Sequence, residues 1–321
     1  MGSDAVPSFQ PLPPTFLILE YPMPPTDVAS RAQYFSKCAL VAPFFKQHSQ
    51  AWFAARAAAC TASNAAAVLG VDEGSCDAHF VMYSVEPVWQ APRESSFQKE
   101  WGVRHEMCGL ASVMQGLPVI REHLASRHGV SLPQEVTVCE QGMYFVPHEH
   151  PLLQGTLFGD KNMSFPLAAS PDALLAGPGF NVLIEVKCAC PFKGGFDDGL
   201  WRWLPCARAL SVDDICVNEF VQCQIQMLAT GVPHCLLVRW SVKECKVLYV
   251  PFDGAWCKQM LIVLSQIVLA AVATNGKCPQ FSSISGHAEF VRDTRERCSR
   301  LLEPCTVPNA KGWDGRRFLQ R

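Results

Sequence analysis

Gly177-Pro178-Gly179 separates two apolar runs, residues 168–175 and 182–187. Apolar runs joined by so short a turn pair as an antiparallel hairpin, in which side chains two apart share a face. The second run reads Val182-Leu183-Ile184-Glu185-Val186-Lys187 and ends in charge. Glu185 and Lys187 therefore project together, with Val186 turned the opposite way. The same pairing can bring Asp172, in Ser170-Pro171-Asp172, beside Glu185. Charges closing an apolar strand are costly unless they are used or solvated. Two carboxylates aimed at one point repel each other unless a hard dication lies between them. Mg²⁺ suits such a place, with one or two protein carboxylates and the rest waters or phosphate oxygens; Mn²⁺ is a workable substitute. A lysine beside that ion can stabilise a charged phosphorus-centred transition state, or position and deprotonate an attacking water. That set is sufficient for phosphodiester hydrolysis. The spacing alone is a weak signal, since a turn aspartate and an exposed Glu/Lys pair on an edge strand would look the same.

Around this centre the chain reads as alternating element types. Residues 1–45 are proline-rich and predict an extended arm. Residues from Gln50 to Gly70 predict helix, with Thr61 or Ser63 as N-cap and Gly70 as the stop. Residues 93–115 and 117–128 predict two helices. Residues 135–146 predict strand. Residues 193–203, with Lys193, Trp201, Arg202 and Trp203, predict a loop able to stack on unpaired bases. Residues 218–229 predict helix, 236–242 with 245–250 a second hairpin, and 256–273 a closing helix. A basic tail is expected over 276–321. The folded body then spans 46–275, an α/β (α+β) mixed sheet flanked by helices.

Composition sets limits. Of 321 residues, 49% are hydrophobic and 17% charged, which suits a sizeable buried core rather than disorder. The net charge of −2 means that any nucleic-acid affinity has to be concentrated in a cleft. Sixteen cysteines, without repeated spacing or a secretory leader, predict reduced thiols in an intracellular protein, nuclear or cytoplasmic rather than secreted. Cys188 and Cys190, like His148 and His150, are expected to be structural rather than metal-ligating. The apolar run 260–273 is too short for the roughly 20 residues of a membrane span.

Three further motifs sit at useful distances. Gly102-Val103-Arg104-His105-Glu106 puts a third carboxylate on a helix, and Gln222, Gln224 and Gln226 line another. Arg56, seven residues before Ser63, places a guanidinium near a helix start, a pocket suited to a phosphate.

Taken in order, Arg56 with Thr61-Ala62-Ser63, residues 102–106, 170–174, 184–188 and 222–227 resemble the PD-(D/E)XK nucleases of the lambda-exonuclease and YqaJ viral-recombinase group. Herpesvirus alkaline nucleases are wider kin. The resemblance implies a restriction-endonuclease-like core. It implies Asp172 and Glu185 as metal ligands, Glu106 assisting the metal, Lys187 as catalytic lysine and Gln224 as the active-site glutamine, with Gln222 and Gln226 as alternatives. It implies Arg56, Ser63 and Ser170 as receivers of a terminal 5′ phosphate. The pattern departs from the family at Ala173, Pro191 and Val221. The activity implied is a Mg²⁺-dependent exonuclease on double-stranded DNA ends, running 5′ to 3′, with a single-strand annealing partner and a homo-oligomer as expected associates and no membrane. The alternatives are an endonuclease, a DNA/RNA nuclease, or a non-catalytic DNA-binding recombination module.

Overall fold

The structure, a computed structural model, describes residues 30, 33–34, 50–71, 77–84, 97–162, 165–197, 200–205, 215–301 and 303–310. The arm expected over 1–45 lies outside these residues apart from 30, 33 and 34, as do residues 311–321.

The turn at 178–179 does what its residues dictate. Strand β5 (Ala173–Gly177) pairs antiparallel with β6 (Phe180–Cys188), from Gly177 opposite Phe180 to Ala173 opposite Ile184. Gly179 takes φ 69°, a conformation that only glycine adopts freely. β2 (Thr137–Glu140) pairs with the outer side of β5. On the other side β6 runs parallel to β9 (His234–Trp240), which pairs antiparallel with β10 (Cys245–Pro251). β11 (Cys305–Val307) completes a six-stranded sheet in the order β11-β10-β9-β6-β5-β2. A small second sheet sets β4 (Leu167–Ala169) between β1 (Cys60–Thr61) and β3 (Tyr144–Phe145).

Both faces of the large sheet are covered, which gives the mixed α/β architecture expected from the sequence. Val182, Ile184 and Val186 of β6 face a core shared with helix α3 (Phe97–His128). Leu183 faces the other core, shared with α2 (Ala62–Val68), α4 (Val217–Thr230), α5 (Gly254–Ala273) and α6 (His287–Arg300). Helix α1 (Gln50–Ala57) leads into β1. Glu185 and Lys187 have the parity of Leu183 and so belong to the α4 face.

Three sequence expectations are corrected. The two helices expected over 93–128 are one, α3, which runs through Pro118. An internal proline costs about 3 kcal/mol. Val113, Leu117, Ile120 and Leu124 are buried along one stripe, and at about 1.5–3 kcal/mol each they outweigh that cost. The loop expected over 193–203 is instead an antiparallel ribbon of β7 (Phe192–Asp197) and β8 (Leu200–Pro205), whose register sets Phe196 opposite Trp201 and Gly194 opposite Trp203. Finally, the described part of 276–321 is no separate tail. Phe290 of α6 stacks on Trp256 of α5 at 5.6 Å, and β11 is an edge of the main sheet. The Ala310 N–H donates to Ser112 Oγ of α3 at 3.0 Å. The globular body therefore extends to at least residue 310.

Helix α5 has the length and hydropathy of a membrane span. Trp256, Met260, Leu264 and Ile267 are fully buried, so much of that hydrophobicity lies in the core.

Candidate active site

The site forms where β6 emerges from its apolar stretch. Asp172 immediately precedes β5, one position beyond the Ala173–Ile184 pair, so it stands at the strand end beside Glu185. Its Oδ2 accepts the Val186 N–H at 2.7 Å. Burial raises the pKa of Asp172 well above the usual carboxylate range, and repulsion from Glu185 and Glu106 adds to the rise.

Glu185 is 2% exposed, and both its oxygens are engaged. Oε1 accepts from Lys187 Nζ and from Gln222 Nε2, each at 2.6 Å. Oε2 accepts from Gln226 Nε2 at 2.6 Å. Lys187 Nζ also donates to Gln222 Oε1 at 2.8 Å. Burial alone would lower the Lys187 pKa. Glu185 and Asp172 more than offset it, so the group is held above its ordinary value as an ammonium.

Glu106 reaches the same place from α3. Burial pushes its pKa up to about 7, and repulsion from Glu185 and Glu140 contributes. Gly109, one turn further along, explains the approach: a Cβ there would lie 2.5 Å from Val186 Cγ1. Only a glycine lets α3 press this closely on the strand carrying Glu185 and Lys187.

Gln224 does not join them. Its Nε2 donates to the Pro251 carbonyl at 2.8 Å, and its Oε1 accepts the Asp253 N–H at 2.8 Å. Two residues along a helix rotate a side chain by roughly 200°, so Gln224 leaves α4 away from Gln222 and braces the start of α5. The glutamines at the site are Gln222 and Gln226, four apart on one helix face. That spacing was present in the sequence; reading the motif by its central glutamine hid it.

The expected phosphate receivers are also brought together. Arg56 Nη2 donates to Ser63 Oγ at 2.6 Å, and Thr61 Oγ1 lies 3.2 Å from the same hydroxyl. The guanidinium stands 4.4 Å from the Trp52 ring centroid. Burial lowers the Arg56 pKa, and the charges of Glu185 and Asp172 oppose that shift, so Arg56 lies within the field of the acidic centre. β1 runs parallel to β4 with Thr61 opposite Ala168, and Ser63 and Ser170 each follow two residues later. Ser170 Oγ is buried with no hydrogen-bond partner among the described residues. A buried, unmatched hydroxyl can donate to an acceptor such as a phosphate oxygen.

Other polar candidates are structural. His105 Nδ1 bonds the Trp101 carbonyl at 2.8 Å, and its ring stacks on Trp101 and Trp240. His148 pairs with Glu149, and His150 Nδ1 accepts the Leu152 N–H. Cys188 carries a free thiol whose pKa burial pushes up, with Glu106 and Asp172 adding to the rise. Sequence reading missed Glu140, at the end of β2, as a charge acting on Glu106.

The donor set suits a hard cation in a particular way. No three of the described His, Cys, Asp or Glu side chains make a ready-made metal cluster. Asp172 and Glu106 carry raised carboxyl pKa values through burial and repulsion from Glu185, the electrostatic condition that a dication relieves. Because Mg²⁺ commonly takes only one or two protein carboxylates, these residues fit it.

No family model and no curated protein matches the chain. Among solved structures it is similar to an alkaline exonuclease of Laribacter hongkongensis, at 18% identity and a TM-score of 0.40, covering 79% of this chain and 100% of that one. It is also similar to the same exonuclease in complex with dAMP, at 18% identity and a TM-score of 0.38, covering 79% and 96%. At that identity the chemistry of this chain has to be built from its own side chains.

Proposed function

We propose that this chain is a Mg²⁺-dependent deoxyribonuclease that hydrolyses phosphodiester bonds of linear duplex DNA from a 5′ end. The observation that carries the reading is the convergence on one strand end of Asp172, Glu185, Glu106 and Lys187, faced by Arg56 and the unmatched Ser170 hydroxyl. The sequence resemblance to PD-(D/E)XK nucleases points the same way.

Each residue then has a task. Asp172 and Glu106 are the groups to hold Mg²⁺ or Mn²⁺, with Glu185 at their side. Bound there, the ion supplies Lewis-acid polarisation of the phosphate and a more acidic water. Lys187, held as an ammonium, is a donor rather than a base. It aligns the attacking water and offsets charge that builds on the phosphate oxygens. Gln222 and Gln226 fix the Glu185 carboxylate so that it does not rotate during the reaction. Arg56, Ser63 and Ser170 take a terminal 5′ phosphate, whose charge and acceptor oxygens match a guanidinium and two hydroxyls. An annealing partner and assembly into a homo-oligomer belong to this proposal as expectations.

The test is digestion of end-labelled linear duplex with Mg²⁺, comparing 5′-phosphate and 5′-hydroxyl ends with a covalently closed circle. The expected result is digestion of the linear forms, a preference for 5′-phosphate that Arg56→Ala removes, and an intact circle. Cutting of the circle would make the enzyme an endonuclease. Full activity of Lys187→Ala and Asp172→Ala would move the chemistry away from this site, and a wild-type chain that leaves DNA intact would remove the nuclease reading.

A further inference from the structure

Lys187 on β6 and Arg239 on β9 are direct partners in the parallel pair, so both leave the sheet on the α4 face. Like charges on facing strand positions destabilise each other. The sequence balances this pair from the helix above. Glu219, in the first turn of α4, places Oε1 3.7 Å from Arg239 Nε, and its charge also acts on Lys187. The two side chains are 9% and 16% exposed, far drier than the chain's surface ion pairs. Glu219 Oε2 accepts the Cys216 N–H at 2.9 Å, which ties the carboxylate to the start of the helix. Arg239 Nη1 is buried without a hydrogen-bond partner among the described residues. The guanidinium thus leans on Glu219 more than a fully satisfied arginine would.

The same helix face continues from Glu219 to Gln222 and Gln226, three and seven residues on, and these grip Lys187 and Glu185. Helix and sheet meet through a row of matched polar contacts: Glu219 with Arg239, Gln222 with Lys187 and Glu185, Gln226 with Glu185. A slip or rotation of α4 would break all of them together.

We propose that Glu219 and Arg239 are a positioning pair, which fixes the rotation of α4 over β6 and β9 so that Gln222 and Gln226 meet Glu185 and Lys187. The inference rests on the nuclease reading and adds to it two residues that need not touch substrate or metal.

The test uses the full-length chain, linear duplex DNA and Mg²⁺, assayed well below each variant's melting midpoint. Glu219→Gln keeps an acceptor for the Cys216 N–H but removes the charge, Arg239→Met removes the cation, and Arg239→Lys keeps it. Expected is a fall in kcat of about 10- to 100-fold in the first two with KM little changed, the size of effect that misplacement of a reacting group produces. Arg239→Lys restores most of the rate. The double variant Glu219→Gln with Arg239→Met leaves no uncompensated buried charge. Its melting midpoint should return toward the wild-type value while kcat stays about tenfold low or lower. Recovery of kcat together with the midpoint would reduce the pair to a stability element and overturn the proposal. A raised KM with weaker salt dependence and unchanged kcat would overturn it in favour of direct contact between Arg239 and the DNA backbone. Normal kcat in Arg239→Met would also overturn it. A wild-type chain that leaves DNA intact would remove the nuclease reading, and this inference with it.

Discussion

At the scale of single residues, the three acids of the site are not equivalent. Glu185 is held by three side-chain donors, whereas Glu106 and Asp172 owe their raised pKa values first to burial and then to the charge of Glu185. Glu106 must lose its proton to hold a cation, so at subsaturating Mg²⁺ cleavage should rise as pH passes through about 7. In Glu106→Gln that step should vanish from the pH–rate profile; an unaltered profile would assign the step to another group. Stability runs the other way. The folded-state pKa lies above the ordinary 4.5, so the folded chain binds more protons than the unfolded chain between the two values. Without metal, this contribution weakens as pH rises through that window. Melting midpoints with a chelator present should fall less with pH in Glu106→Gln than in the wild type. The glutamines give a second contrast. Gln226→Leu should cost about 10- to 100-fold in kcat by freeing Glu185. Gln224→Leu strands two backbone groups and should cost about 1–3 kcal/mol of stability, with kcat of the folded protein retained. Equal effects on kcat in the two variants would contradict the placement of Gln224 as a brace.

At the scale of elements, Gly109 decides how near α3 comes to β6. Gly109→Ala sets a methyl against Val186 Cγ1, and overpacking of that kind costs about 1–3 kcal/mol. Because the helix also carries Glu106, activity should fall with stability, and Val186→Ala in the same chain should recover part of both. Thermal melts and kcat on the single and double variants measure this; additive losses would mean that the two side chains do not meet. Elements are also where the sequence was most and least readable. The β5–β6 hairpin, β9–β10, α4 and α5 could be placed because period-two and period-3.6 patterns lay between clear stops such as Gly179 and Gly231. Asp172, Glu185, Lys187 and Glu106 could be located for the same reason. What failed depended on partners far along the chain. Pro118 looked like a helix end because the stripe it interrupts gains its stability from the sheet. Lys193 to Trp203 looked like a loop because a ribbon so rich in glycine and aromatics lacks a polar/apolar alternation. Gln224 looked central because the motif was read as a string rather than as a helix with faces.

At the scale of the whole molecule, the large sheet is closed by its last strand. Cys305 and Val307 are buried on β11, Val307 fits against Gly116 of α3, and Trp240 Nε1 donates to the Ala310 carbonyl. Ending the chain after residue 304 removes the buried side chains of Cys305, Val307 and Ala310, of which Val307 alone is worth about 1.5–3 kcal/mol. It also leaves Ser112 and Trp240 without these partners and exposes the edge of β10. Such a loss rivals a domain's net stability of about 5–15 kcal/mol. The shortened chain should melt at a clearly lower temperature, and its cleavage should fail on mild warming that the full chain survives. An unchanged midpoint would show that β11 is dispensable.

The bond between Ser112 and Ala310 joins residues 198 apart in sequence, which gives assembly of the site a history. On the ribosome Arg56, Ser63 and Glu106 emerge first, and Asp172, Glu185 and Lys187 follow. Gln222 and Gln226, the donors that hold Glu185, follow 37 and 41 residues after it. The strand that locks the helix bearing Glu106 comes last. Loop closure over so long a separation is slow compared with the formation of local helices. During synthesis the chain therefore holds its carboxylates before it holds them still, and the geometry of the site is complete only as β11 docks.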